Sequence, residues 1–209
     1  MCIFGSVSVQ AEQLFDYIGF KAGNLGALPR WKRVLDKLEY ERGVYSRCDA
    51  DIKQCKTPAL VSWRAFVAEQ KGLPPRAQLS AVNRFVNRWP YVTDDVLWGR
   101  SDYWATPLEF IENSGDCEDY AILKYVTLRS LGFAPDDVRI AVVQDTVRNI
   151  AHAILIADEG GQRYVLDSLF TAVLEQGRLM QYAPYYTVNE NARWTYVSPL
   201  GHTARKFAR

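Results

Sequence analysis

Apolar side chains recur at helical spacing through the first half of the chain and at strand-like spacing through the second. After Leu28-Pro29, residues Trp31, Val34, Leu35 and Leu38 fall at i, i+3, i+4 and i+7, and Pro29 suits a first helical turn. Thr57-Pro58 opens a second helix, with Leu60, Val61, Trp63, Phe66 and Val67 inward and a stop near Gly72. A third follows Pro74-Pro75, carries Leu79, Val82, Phe85 and Val86, and ends before Pro90. From Tyr91 to Thr106 the chain is irregular, aromatic and acidic, and its Trp98 and Trp104 suit either ordinary packing or the wall of a cleft.

A fourth helix starts near Cys117, buries Ala121, Ile122, Tyr125, Val126 and Leu128, and closes at Leu131-Gly132. Val138 to Gln144 is apolar and rich in β-branched residues, so it reads as a strand. Ala151 to Ala157 and Gln162 to Asp167 form a hairpin across Asp158-Glu159-Gly160-Gly161, and Trp194 to Val197 supplies a last strand. Helices followed by an antiparallel sheet make the class α+β.

Composition narrows the function. Among 209 residues, 25 Lys plus Arg balance 24 Asp plus Glu, without the basic surplus of a nucleic-acid binder. Apolar residues make up 48%, so the chain is not disordered, and at this length a folded domain buries roughly 70% of its unfolded surface. One domain over 1–209 is expected. No apolar run reaches the length of a membrane-spanning helix. Met1 to Gln10 is briefly apolar but lacks a basic start, so a complete secretory leader is absent or trimmed. The basic end Arg205-Lys206-Phe207-Ala208-Arg209 reads as a frayed terminus. Two histidines exclude a histidine-rich zinc site. Cys48 and Cys55 bracket a polar loop, either as two reduced thiols or as a disulfide contributing about 2–3 kcal/mol. That loop is no EF-hand, because Gln54 stands where glycine is required.

Chemistry concentrates in Asn113-Ser114-Gly115-Asp116-Cys117-Glu118-Asp119-Tyr120. Cys117 falls in a first helical turn, where unpaired N–H groups and the helix dipole favour a thiolate. Read alone, it is a structural cysteine as readily as a nucleophile, and its flanking carboxylates oppose the thiolate unless something neutralises them. The hairpin adds a partner. A two-residue turn at Glu159-Gly160, or a four-residue turn from Asp158 to Gly161, sets His152 opposite Asp167. A three-residue loop would put the two side chains on opposite faces. A helix-borne Cys, a strand-borne His and an Asp on the neighbouring strand follow the logic of an activated thiol.

The segments from Trp98-Gly99 through Asp102-Tyr103-Trp104-Ala105-Thr106-Pro107, then Gly115-Asp116-Cys117-Glu118-Asp119-Tyr120-Ala121, Ala151-His152-Ala153 and Val165-Leu166-Asp167-Ser168, resemble the bacterial transglutaminase-like cysteine proteases of the LapG type. The resemblance runs from about Pro29 to Val197. It implies a papain/transglutaminase-like α+β fold, with a helical N-terminal lobe over about 11–115 and a catalytic helix plus β-sheet over about 116–198. Cys117 becomes the nucleophile, His152 the general base and acid, and Asp167 the orienting carboxylate. The family's calcium ligands fall on Asp116 and Glu118, with Asp119 a third candidate and carbonyls around Asp95 to Asp102 completing the shell. The oxyanion would meet the Cys117 N–H and a second donor, for which Trp104 is the candidate. The resemblance further implies a calcium-dependent periplasmic endopeptidase that cuts the N-terminal region of a large secreted adhesin near an Ala-Ala pair and so disperses a biofilm. An inner-membrane receptor for cyclic di-GMP would control it. Two alternatives stand beside this: acyl transfer to an amine by the same triad, and a non-catalytic calcium-dependent binding module.

Overall fold

The computed structural model describes residues 11–199. Both terminal expectations, the short apolar start and the basic tail, lie outside the described residues. Three helices rise where proline marks a first turn: α1 (Pro29–Ala50), α2 (Pro58–Gln70) and α3 (Pro75–Val86). The Thr57 hydroxyl accepts the Leu60 N–H and caps α2. Cys48, near the end of α1, is joined to Cys55 by a disulfide, which settles the choice that the spacing left open.

The irregular acidic segment holds one short helix, α4 (Asp94–Trp98), and a second, α5 (Pro107–Asn113), follows directly after it. α5 is framed by a capping box in which Thr106 and Glu109 each accept the other's backbone N–H. α6 (Cys117–Ser130) follows and is the central element, with every residue from Asp119 to Leu128 buried. The expected stripe of Ala121, Ile122, Tyr125, Val126 and Leu128 is inside, and so are Leu123, Lys124 and Thr127. α3 and α5 cover one side of this helix, and two strands, β3 (Val138–Asp145) and β4 (Ile150–Glu159), cover the other.

These two strands join β5 (Gln162–Leu166), β6 (Leu174–Glu175), β7 (Tyr182–Val188), β8 (Arg193–Val197) and an N-terminal hairpin, β1 (Ala11–Leu14) with β2 (Tyr17–Ala22). The eight strands run antiparallel in the order β1-β2-β8-β7-β3-β4-β5-β6. The first half was expected to be helical throughout, and the hairpin corrects that expectation: residues 11–22 extend the C-terminal sheet beside β8. Its partner lies at the far end of the chain, so local pattern carries no sign of the pairing. One core lies between helices and sheet, around Trp31, Trp63, Phe110, Tyr125 and Leu155. A second covers the other face, where Leu14 and Phe15 pack with Val143, Ile154, Ile156 and Tyr182.

The disulfide closes a short loop between α1 and α2, so its loss acts mainly through the unfolded chain. Cys55→Ser is expected to lower the free energy of unfolding by about 2–3 kcal/mol, read by chemical denaturation against the wild type; an unchanged midpoint would show that the loop is fixed without it.

Candidate active site

The loop that delivers Cys117 is built around a buried carboxylate. Asp119 is fully buried; its Oδ1 accepts the Ala105 N–H at 2.6 Å and its Oδ2 the Asp116 N–H at 3.2 Å. One side chain thereby ties the entry to α5, with Trp104, to the first turn of α6. A Cβ on Gly115 would lie 2.1 Å from Asp119 Oδ2, so only glycine fits there. The Gly115 carbonyl accepts the Val92 N–H at 2.9 Å and draws the acidic segment against the start of α6.

Cys117 is partly exposed and is the one free cysteine among the described residues. Its thiol donates to Glu118 Oε2 at 3.3 Å. Burial first, then the Glu118 and Asp116 carboxylates, push this thiol well above its ordinary range, while the Ala153 N–H pulls toward the thiolate. Ala153 follows His152 on β4, so the strand bearing the imidazole also presents an amide to the sulfur. Cys117, His152, Trp104, Asp102 and Tyr186 line a common cleft of about 340 Å³.

His152 Nε2 lies 2.9 Å from Asp167 Oδ1, and both residues are buried. The pair is diagonal rather than directly opposite, which corrects the expected register. β4 and β5 pair with Glu159 opposite Gln162 and Leu155 opposite Leu166. The turn is therefore Gly160-Gly161, with φ of 60° and 80°, because a two-residue hairpin turn of this hand needs positive φ at both positions. The slip of two residues from the expected pairing leaves every side chain on the same face, so contact survives. Asp167 lies just past the end of β5, where the chain is free to bend back. Its Oδ1 also accepts the Leu169 N–H at 2.9 Å, and its Oδ2 accepts the Tyr182 hydroxyl at 2.5 Å. Burial disfavours the Asp167 charge, yet the hydrogen bond from His152, its charge, and the donors Leu169 and Tyr182 outweigh it and hold the carboxyl below its usual range. Tyr182 was not singled out in the sequence, since nothing local marks a tyrosine on β7 as a partner of Asp167.

Acidic oxygens gather beside the cysteine. Ligand atoms of Asp94, Asp116 and Asp119 lie within 4.8 Å of one another, and so do those of Asp94, Asp102 and Glu118. Asp94 is 1% exposed; its Oδ2 accepts the Tyr103 N–H, while its Oδ1 and Asp116 Oδ1 have no hydrogen-bond partner among the described residues. Burial, with the neighbouring acids, raises Asp94 to about 6, and burial with Asp116 raises Glu118 to about 9. Orphaned, hard carboxylate oxygens crowded at partly buried positions fit a divalent cation that prefers oxygen. The segment was expected to offer carbonyls, whereas the side chains of Asp94 and Asp102 join the acidic cluster and Asp95 faces solvent. Asp119, expected as a third ligand, already takes a backbone N–H on each oxygen and acts first as a clamp. Trp104 is 6% exposed on the cleft wall, packs on Trp31, and has its carbonyl held by Arg33.

A family model described as bacterial transglutaminase-like cysteine proteinase BTLCP matches residues 39–199. The chain belongs to that family. Its members are cysteine proteases, and this chain is one. Among solved structures, calcium-bound LapG of Legionella pneumophila is similar at 34% identity and a TM-score of 0.60, over 66% of this chain and 77% of that one. A second LapG structure from the same organism matches at 30% identity and a TM-score of 0.64, over 72% and 87%. An EGTA-treated form matches at 30% and 0.64, over 72% and 84%. No curated protein sequence matches the chain. The sheet and helices of this proteinase thus have the transglutaminase-like fold of LapG.

Gly115→Ala forces Asp119 out of its place and breaks both of its backbone contacts. We expect a loss of stability of about 2 kcal/mol or more together with loss of activity, measured by thermal melting and peptide cleavage; a variant that melts and cleaves like the wild type would contradict the clamp.

Proposed function

We propose that the chain is a calcium-dependent endopeptidase in which Cys117 is the nucleophile, His152 the general base and acid, and Asp167 the residue that orients it. The observation that carries this reading is the cleft shared by Cys117 and a buried His152–Asp167 pair, with an acidic cluster touching the sulfur. His152 takes the proton of the Cys117 thiol, and the thiolate attacks the peptide carbonyl carbon. His152 passes a proton to the departing amine as the tetrahedral adduct collapses to a thioester. Water, deprotonated by His152, then attacks the thioester and frees the acid product and the thiol. The developing oxyanion is met by the Cys117 N–H at the start of α6 and by Trp104 across the cleft. Asp167 fixes the imidazole by accepting from Nε2, which leaves Nδ1 for proton transfer.

Asp94, Asp116 and Glu118, with Asp102 at the edge, would hold the calcium ion. The bound ion supplies positive charge that offsets the carboxylates around the sulfur. The similarity to LapG structures described as calcium-bound and EGTA-treated supports this metal. The Cys48–Cys55 disulfide supports an oxidising compartment, in keeping with the periplasm. No helix among the described residues is long and apolar enough to cross a membrane. The resemblance carried by the Gly115–Ala121, Ala151–Ala153 and Val165–Ser168 motifs supports the rest: a substrate that is the N-terminal region of a large adhesin, cut near an Ala-Ala pair, and control by a cyclic di-GMP receptor.

Incubation with adhesin fragments containing Ala-Ala, read by mass spectrometry, tests the class. Cleavage is expected with calcium, none in excess EGTA, and recovery when calcium is restored; full activity in chelator would defeat the metal assignment. Cys117→Ala is expected to fold and bind but not cleave, and a primary amine added to the reaction should not displace water as acceptor. Asp94→Asn is expected to weaken calcium binding about 10-fold or more by titration calorimetry; an unchanged affinity would remove Asp94 from the ligand set.

A further inference from the structure

The peptide group that joins Trp104 to Ala105 is held at both ends. Its carbonyl accepts from the Arg33 guanidinium on α1, and its N–H donates to Asp119 Oδ1 on α6 at 2.6 Å. A peptide group is planar, so partners on its two opposite edges fix its orientation, and with it the direction in which Trp104 leaves the chain. The neighbouring amides are taken as well, the Tyr103 N–H by Asp94 and the Thr106 N–H by Glu109 Oε2 at 2.9 Å. Arg33 is the partner that comes from outside both the acidic segment and the catalytic helix.

The guanidinium serves three groups at once. Besides the Trp104 carbonyl, its Nη2 donates to Glu109 Oε2 at 3.2 Å, and its Cζ lies 4.2 Å from the centre of the Tyr103 ring. A planar fork can meet a carbonyl, a carboxylate and an aromatic face together, which a compact ammonium cannot. Glu109 is anchored in turn, because Lys37 Nζ at 2.5 Å and the Tyr103 hydroxyl at 3.0 Å both donate to its Oε1. Burial disfavours the Glu109 charge, yet Lys37, the Thr106 N–H and Arg33 outweigh it and hold the carboxyl at about 2. Arg33 therefore rests against a partner that stays ionised at neutral pH.

α1 meets Trp104 a second time through Trp31, whose ring centre is 6.3 Å from the indole and whose Nε1 donates to the Asn189 carbonyl at 2.9 Å. Trp104 also lines the cleft that holds Cys117 and His152. A wall that meets a developing oxyanion has to be held closely, since a misplacement of about 1 Å can cost about 100-fold in rate.

We propose that Arg33 is a positioning residue for catalysis: it holds the Trp104 carbonyl from α1 while Asp119 holds the Ala105 N–H from α6, and so keeps Trp104 in place across the cleft from Cys117. The inference rests on the protease reading of that cleft. Arg33 acts through Trp104 and leaves the thiol and the acidic cluster to their own partners.

Arg33→Met keeps an unbranched apolar stem and removes the guanidinium, and Arg33→Lys restores charge without the fork. Calcium-loaded wild type and variants are compared by kcat and KM for peptide cleavage, by the alkylation rate of Cys117, by thermal melting, and by the indole N–H signal of Trp104 in the proton–nitrogen NMR spectrum, assigned with Trp104→Phe. In Arg33→Met, kcat should fall about 10-fold or more with KM within about threefold, the alkylation rate should stay within about twofold, and the Trp104 signal should shift or split. Arg33→Lys should recover part of kcat. An unchanged kcat would overturn the proposal, and so would a lowered kcat with the Trp104 signal in its wild-type place. Activity lost only in proportion to unfolded protein, or full recovery by Arg33→Lys, would overturn it too. If Arg33→Met does not fold, Arg33→Lys carries the comparison with a partial loss of kcat and a shifted signal expected, and failure of both to fold would make the residue structural and overturn the proposal. The indole signal needs no substrate: a wild type that cleaves nothing would defeat the protease reading, while the signal would still report whether Arg33 places Trp104.

Discussion

Crowding of negative charge around one sulfur governs this site. The ligand atoms of Asp116, Cys117 and Glu118 lie within 4.8 Å of one another. Two unit charges about 4 Å apart interact by about 4 kcal/mol at an effective dielectric of about 20. The dipole at the start of a helix returns only about 0.3–2 kcal/mol. The helix start therefore cannot by itself sustain a Cys117 thiolate beside two ionised carboxylates. Either a carboxyl keeps its proton, which is the tendency of Glu118, or a cation supplies the missing charge. On the proposed reading, the same residues that suppress the thiolate are the ones through which a bound cation would release it.

The fold serves that balance by denying the loop other conformations. α6 is enclosed by helices and sheet, so its first turn has a fixed position. Asp119, buried against Gly115, locks that turn to the loop bearing Trp104. The sheet contributes through β4, whose His152 lines the same cleft as Cys117 and whose Ala153 N–H is presented to the sulfur. Tyr182 on β7 and Leu169 after β5 complete the hydrogen bonds of Asp167, so three separate segments converge on one carboxylate. The N-terminal hairpin takes part at a distance, because Leu14 and Phe15 cover the face of the sheet on which Tyr182 packs.

Much of this was legible in the sequence, because the residues of the proposed triad sit at positions with strong local signals. Cys117 opens a helix behind Gly115 and Asp116, and His152 interrupts an apolar strand. The His152–Asp167 contact followed from hairpin arithmetic even though the turn lies one residue further on, at Gly160-Gly161; parity mattered and the absolute register did not. What escaped was non-local. Pairing of β2 with β8 joins segments from opposite ends of the chain, and Tyr182 reaches Asp167 only through the order of the sheet. Asp94 lies in an irregular segment whose burial depends on Gly115 drawing it inward. Lys124 was hidden by the assumption of a one-sided helix, whereas α6 has no solvent face along its middle.

The most direct measurement is the rate at which iodoacetamide alkylates Cys117 at near-neutral pH, followed by mass spectrometry with saturating calcium and with excess EGTA. Burial together with Glu118 and Asp116 holds the thiol protonated when no cation is bound, so the account predicts slow labelling in EGTA and labelling faster by about 10-fold or more with calcium. Equal rates in the two conditions would contradict the claim that the acidic cluster places the nucleophile under the control of a cation.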